Sequence, residues 1–142
     1  MGEQKVVVDS VIIFNKKVLM VKRAKDAKFL PGYWEFPGGK VEFKEDLEKA
    51  LYREVREECN ISIQILNTLT VDQFYMNKKV SDKQFIDIFF LCETHEPEKI
   101  VLNSEHSEYK WVEFSEMNRL KVSKYLKSIC NKLQNHPLLL KL

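Results

Sequence analysis

Apolar positions along this chain recur with two different periods. Val6 to Phe14 and Val18 to Lys22 are β-branched or aliphatic runs, and the polar triplet Asn15-Lys16-Lys17 between them predicts a hairpin. Ala24 to Gly32 is polar and carries Pro31-Gly32, which reads as a loop; Tyr33 to Phe36 reads as a short strand ended by Pro37-Gly38-Gly39. From Asp46 the period lengthens, placing Leu47, Ala50, Leu51 and Val55 on one stripe of a helix that Asp46 caps and Asn60 ends. Ile61 to Phe74 and Phe85 to Cys92 predict longer strands joined by the polar stretch Asn77 to Lys83, and Glu108 to Phe114 a shorter one. Ser115 is expected to cap a short helix through Leu120. Ser123 is expected to cap a longer one through Leu133, in which Val122, Leu126, Ile129, Cys130 and Leu133 recur at helical spacing before His136-Pro137 stops it. Strands with one helix in their midst and another at the end predict an α+β fold, layered with helices on both sides of a mixed sheet. With no repeat, low-complexity tract or linker, residues 1–142 are expected to form a single domain.

The central helix breaks its own pattern. A helix turns roughly 100° per residue, so residues three or four apart share a face and Glu54, Glu57 and Glu58 converge. Glu54 and Glu58 fall within the apolar stripe and Glu57 at its edge, where partly buried like charges must protonate, pair with a base or bind a metal. Oxygen ligands at this spacing suit a hard divalent ion, Mg2+ or Mn2+. The plainer alternative is a charged amphipathic helix whose Arg53 and Arg56 neutralise their neighbours.

Composition narrows the partners. The 142 residues carry 23 basic and 21 acidic side chains, a net charge of +2, too balanced to argue for bulk nucleic-acid or membrane binding. No stable nucleic-acid complex is expected, and the partner is a small molecule. Three widely spaced cysteines, Cys59, Cys92 and Cys130, fit reduced thiols better than a disulfide framework or a zinc site, which favours a cytoplasmic location. No apolar run approaches the roughly 20 residues of a membrane helix, and the N-terminus has no apolar signal core. The tail Pro137-Leu138-Leu139-Leu140 packs either on its own sheet or on a second copy, so monomer and homodimer both stay open.

The full spacing carries more than the acidic cluster. Gly39, five residues, Glu45, seven residues and then Arg53-Glu54-Val55-Arg56-Glu57-Glu58 resembles the signature of the Nudix hydrolases. The family pattern has glycine where Asn60 stands, followed by an aliphatic residue that Ile61 supplies; Asn is the usual non-glycine residue in a left-handed helix terminus. Lys22-Arg23-Ala24 and Trp34-Glu35-Phe36-Pro37-Gly38-Gly39-Lys40 resemble the MutT-like branch, which hydrolyses nucleoside triphosphates. The resemblance covers about the first 115 residues and implies a Nudix-like α/β/α layered domain.

It also implies a chemistry. A diphosphate bridge repels nucleophiles, so its hydrolysis needs charge neutralisation and a water held in line. The resemblance assigns Mg2+ or Mn2+ to Glu54, Glu57 and Glu58, joined by a backbone carbonyl of Gly38 or Gly39. Arg53, held by Glu45, orients those ligands. A carboxylate from a distant loop often serves as a further ligand or general base, and the candidates are Glu105, the first choice, and Glu108; His106 is a weaker one. Lys22 and Arg23 are candidates to neutralise phosphates, and Trp34 and Phe36 to stack a base, though both aromatics would share one strand face and suit a core equally. Tyr75, Asn131 and Asn135 are lesser candidates for the base. The expected reaction cleaves a nucleoside triphosphate, canonical or oxidised, to monophosphate and pyrophosphate. ADP-ribose, a dinucleoside polyphosphate or a capped RNA end are alternative substrates, and a nucleotide-sensing module without catalysis is an alternative function. Base-recognition residues are not identifiable at this level.

Overall fold

The computed structural model describes residues 2–76 and 82–142, so most of the polar stretch Asn77 to Lys83 lies outside the described residues. β1 (Glu3–Phe14) and β2 (Lys17–Arg23) form the expected hairpin. Asn15 and Lys16 both adopt positive φ, 51° and 63°, the backbone that a tight two-residue turn between twisted strands requires. The strands then diverge. β1 pairs with β2 only at Ile13 and Phe14, while its other edge runs parallel to β6 (Lys83–Glu93) from Glu3 to Ile13. β2 turns instead to β7 (His106–Glu113), antiparallel along its length.

The fork between β1 and β2 is filled by β3 (Trp34–Glu35), which pairs with β2, and β4 (Gly38–Lys40), which pairs with β1 through Asp9↔Gly38, Val8↔Gly39 and Val7↔Lys40. The glycines therefore do not end a strand, as the sequence suggested; they form one, because the free edge of β1 offers hydrogen bonds that short side-chain-free residues reach. Pro37 fastens the junction, its carbonyl accepting from Ser10 N at 2.9 Å and Ser10 Oγ at 2.6 Å. β5 (Gln64–Met76) completes the mixed sheet against β6.

Helices cover both faces. α1 (Leu47–Cys59) buries Ala50, Leu51 and Val55 against Val8, Ile12, Leu19 and Val21. Asp46 caps it, its Oδ1 accepting from Glu48 N and Lys49 N, and Asn60 ends it at φ 55°, the left-handed conformation expected of the residue in the glycine position. Leu47, expected in the buried stripe, is exposed because the first turn projects beyond the sheet. On the opposite face α2 (Lys124–Gln134), capped by Ser123 Oγ on Leu126 N, buries Leu126, Ile129, Cys130 and Leu133 against Val11, Met20, Phe89 and Leu91.

Several boundaries differ. Ile61 packs under α1 rather than opening a strand, and β5 starts at Gln64. Ser115 caps nothing: Phe114–Arg119 is a 3-10 turn without a side-chain cap. His136-Pro137 stops α2 but also starts α3 (Pro137–Leu140), where His136 accepts from Leu138 N and Leu139 is buried in the chain's own core.

Candidate active site

α1 delivers its three acids to different environments. Glu58 is 3% exposed under the fork, Glu54 lies partly buried beside it, and the Glu57 side chain is about half in solvent. Burial pushes the Glu58 carboxyl well above the usual carboxylate range, reinforced by the charges of Glu35, Glu54 and Glu105; only the amide of Gly38, 3.3 Å from Glu58 Oε1, opposes it. Glu54 is raised for the same first reason, with Arg53 opposing.

Glycine at both fork positions is a steric requirement. A Cβ on Gly39 would overlap the Glu54 carboxyl, and one on Gly38 would overlap the Val8 carbonyl and Asp9. The absence of side chains lets this main chain lie against the acids, with the Gly38 N–H donating to Glu58 at 3.3 Å.

Arg53 is the clamp that the sequence suggested. Its Nε and Nη2 donate to Glu45 Oε2 and Oε1 at 2.8 and 2.9 Å, its Nη1 reaches Glu54 at 3.0 Å and Glu57 at 3.4 Å, and Nη2 also donates to the Lys40 carbonyl at 3.1 Å. The bidentate pair lowers the Glu45 carboxyl to about 2.

Of the distant acids, Glu105 is exposed in the loop before β7, and its charge is felt at Glu58. Glu108 points elsewhere: β7 sets it opposite Lys22, whose Nζ is 3.9 Å away at the surface. His106 is more deeply placed than a loop histidine would be. It is 4% exposed, its Nε2 is 2.8 Å from Glu35 Oε2, and its Nδ1, with no hydrogen-bond partner among the described residues, stands 4.0 Å from Glu58 Oε1. Glu35, which sequence reasoning did not select, joins His106 to Arg23, whose Nη1 is 3.3 Å from the same oxygen and whose Nε donates to the Phe29 carbonyl. Its signal was alternation alone: Trp34 and Phe36 flank it, and when they face the core Glu35 must face the site.

Trp34 and Phe36 do face the core, 6% and 2% exposed beneath α2, with Phe36 edge-on to Phe89; they are packing residues here and offer no free ring face for stacking. Tyr75 is exposed at the end of β5, and Asn131 bonds Asn118, away from the fork. All three cysteines are free and buried, and burial pushes the Cys59 thiol up to about 12, which removes it as a nucleophile.

The residues fit a hard cation in chemistry: oxygen donors, a buried acid whose nearest basic nitrogen, His106 Nδ1, stands 4.0 Å off, and a glycine cradle. As placed, no three of the described acid, histidine or cysteine side chains close on one point. Glu57 leans to Arg53, whose Nη1 is 3.4 Å from its Oε2.

Comparison with known proteins decides the family. The model of the NUDIX domain matches residues 4–132. The chain belongs to the NUDIX domain family. It is 31% identical over 117 residues to the nucleoside triphosphatase NudI of Escherichia coli, covering 77% of this chain and 82% of that protein. It is 30% identical over 101 residues to an 8-oxo-dGTP diphosphatase of Buchnera aphidicola, covering 71% and 72%. Among solved structures, the MutT protein of Methanosarcina mazei Go1 superposes with a TM-score of 0.80 at 25% identity, covering 92% of this Nudix chain and 93% of the other. The mixed sheet between helices is thus a Nudix fold of the MutT kind, and the protein is a Nudix hydrolase. No helix among the described residues is long and apolar enough to cross a membrane.

Proposed function

We propose that this Nudix hydrolase is a divalent-cation-dependent diphosphatase that cleaves a nucleoside triphosphate to its monophosphate and pyrophosphate. The observation that carries the reading is Glu58, a carboxyl 3% exposed, crowded by other acids, whose nearest imidazole nitrogen is 4.0 Å away. Such a group is costly without a positive partner, and hydrolysis of a phosphoanhydride needs a cation at the same place. The names of the relatives, a nucleoside triphosphatase and an 8-oxo-dGTP diphosphatase, support a triphosphate, including an oxidised one.

Glu54, Glu57 and Glu58, with a carbonyl of Gly38 or Gly39, would hold Mg2+ or Mn2+. When bound, such an ion neutralises phosphate charge and acidifies a coordinated water. The remaining work belongs to the chain. Arg53 fixes the rotamers of Glu54 and Glu57 while Glu45 holds Arg53. Arg23, pinned by Glu35 and the Phe29 carbonyl, keeps its outward N–H groups for phosphate oxygens, with Lys22 beside it at the strand end. Glu105, the acid reaching Glu58 from the loop, takes the proton of the attacking water at a carboxylate oxygen; as the new P–O bond forms, the bridging P–O bond breaks and pyrophosphate leaves. Glu108, paired with Lys22 at the surface, is the lesser candidate for that role. A cytoplasmic, single-domain enzyme, monomeric or homodimeric, completes the proposal.

The test is release of pyrophosphate and phosphate from canonical and oxidised nucleoside triphosphates, ADP-ribose and dinucleoside polyphosphates with Mg2+, beside Glu57→Gln. Pyrophosphate from a triphosphate, lost in the variant, supports the reading. Turnover of ADP-ribose or a dinucleotide alone keeps the chemistry and overturns the substrate; tight nucleotide binding without turnover indicates a sensing module.

A further inference from the structure

β2 and β7 change register at one point, the end of β2 that carries Arg23. Val21 stands opposite Tyr109 and Lys22 opposite Glu108, but Arg23 stands opposite His106, so Ser107 is an extra residue on β7. Opposed residues of an antiparallel pair project to one side, and side chains alternate along each strand. Leu19, Val21 and Trp111 pack on the α1 side, so Arg23 projects there as well. Unbroken alternation from Trp111 and Tyr109 would set Ser107 beside it; the bulge sets His106 there instead. Glu35 pairs with Val21 and joins them on the same side.

The three side chains meet at one oxygen. His106 Nε2 is 2.8 Å from Glu35 Oε2, and since a carboxylate only accepts, the proton of that bond belongs to Nε2. Arg23 Nη1 donates to the same oxygen at 3.3 Å and Arg23 Nε to the Phe29 carbonyl at 2.6 Å, which leaves Nη2 without a partner among the described residues. The main chain holds both ends: Ala24 N donates to the Glu105 carbonyl at 2.9 Å and His106 N to the Asn103 carbonyl at 3.4 Å. An ion pair whose side chains are 28% and 32% exposed fixes little by itself. The buried imidazole is what holds Glu35 still. We infer that His106 is a positioning residue for substrate binding, which through Glu35 fixes the Arg23 guanidinium with Nη2 turned to the phosphate chain. This inference rests on the proposed triphosphate hydrolysis and gives a role to a residue that neither the cation nor the proton transfer uses.

Two substitutions separate the two ring nitrogens. The amide nitrogen of His106→Gln falls near the place of Nε2 and reaches Glu35, whereas that of His106→Asn falls near Nδ1, keeping a polar group toward Glu58 and losing Glu35. The experiment measures, by calorimetry, the dissociation constants of Mg2+ alone and, at saturating Mg2+, of a dGTP analogue with an imide at its α,β bridge, beside KM and kcat for dGTP. His106→Asn should raise the analogue constant and KM by roughly two- to tenfold, the net worth of one hydrogen bond, with kcat and the Mg2+ constant near native. His106→Gln should restore native values. On an Arg23→Lys background, where no fork remains to be aimed, His106→Asn should add nothing further. Where a melting curve shows that His106→Asn fails to fold, His106→Leu takes its place with the same expectations. Unchanged analogue binding, an equal loss in His106→Gln, or a further loss on Arg23→Lys overturns the inference and leaves the hydrolase reading intact. So does weaker Mg2+ binding, which would route the effect through Glu58. Turnover of no nucleotide by the native protein refutes the hydrolase reading, and the analogue titrations then decide this inference alone; a native protein that does not bind the analogue refutes both.

Discussion

α1 and α2 are amphipathic helices of similar length packed on opposite faces of one sheet, each started by a side-chain cap, and they differ in what the inward stripe carries. α2 buries Leu126, Ile129, Cys130 and Leu133 and nothing charged. α1 buries Ala50, Leu51 and Val55 and then continues the stripe with Glu54 and Glu58. A helix selected for packing alone has no reason to desolvate acids, each of which disfavours its own ionised form. α2 therefore serves stability, while α1 gives up stability in its last turns to hold the buried acids to which the proposed reaction assigns a cation.

The sharpest way to break that contrast is to exchange the two effects. Glu58→Gln keeps shape and burial but removes the charge, so kcat/KM should fall on the order of a hundred- to a thousandfold, the range for losing one preorganised electrostatic group, while the metal-free melting temperature rises or holds. Ile129→Ala should do the reverse, destabilising by about 2–5 kcal/mol through a cavity between α2 and the sheet, with kcat/KM per folded molecule unchanged. Full turnover in Glu58→Asp, which keeps the charge but withdraws it by one methylene, would mean that carboxyl placement is not what α1 gives up stability for.

Stability against pH separates the two ends of α1. Glu54 and Glu58 have folded values raised above the ordinary 4.5, so the folded state holds protons that the unfolded chain releases. Metal-free protein should gain stability as pH falls through those folded values toward the ordinary 4.5, and Glu58→Gln should flatten that slope. Glu45, lowered to about 2, has the opposite sign: its contribution is complete above 4.5 and is lost as pH falls from there through about 2. Adding Mg2+ at about pH 8 should stabilise the fold, by about 2.7 kcal/mol at a hundred times the dissociation constant, and raise the melting temperature accordingly. Equal melting temperatures with and without Mg2+ or Mn2+ across the pH range would remove the cation from α1.

Arg53 tests whether the acids need aim as well as charge. Arg53→Lys keeps the charge and loses the fork that bonds Glu45 through two nitrogens while reaching Glu54 and Glu57. Activity should drop by about 10–100-fold, chiefly as a higher metal requirement, which a titration of turnover against Mg2+ would read. A fall in kcat at saturating Mg2+ with an unchanged requirement would make Arg53 a substrate contact instead.

What the sequence made legible was local. The cap at Asp46, the left-handed end at Asn60 and the inward place of Glu54 and Glu58 all follow from contacts within a few residues, where helical geometry leaves little choice. The Arg53–Glu45 pairing came with the family resemblance, and their separation of eight residues, a lead-in and about two helix turns, lets the bond form within one local stretch. The rest depends on the fork, whose existence no periodicity reveals: β1 and β2 read as a simple hairpin, and Gly38-Gly39 as its neighbour's end. Glu35 meets His106 across 71 positions, and Asp87 meets Tyr125 across 38, so each looked like an ordinary polar residue on an alternating strand. Trp34 and Phe36 were ambiguous for a related reason: alternation says that they share a face, and only the sheet says which face α2 covers.

The smallest effect sharpens the comparison most. Asp46→Ala and Ser123→Ala each remove a side-chain acceptor from the first turn of a helix, Asp46 from Glu48 N and Lys49 N, Ser123 from Leu126 N, and each should cost about 1 kcal/mol. Equal stability losses are expected because capping depends on the local turn and not on what the helix does later. Their consequences for turnover should differ. Fraying at α2 loosens a surface end of the packing helix and should leave kcat/KM unchanged. Fraying at Asp46 loosens the residue next to Glu45 and so the anchor of Arg53, one link from Glu54, and should lower kcat/KM, with Mg2+ above saturation restoring most of it. Equal activities in the two variants would mean that α1 is rigid enough in its later turns to hold the acids without its start.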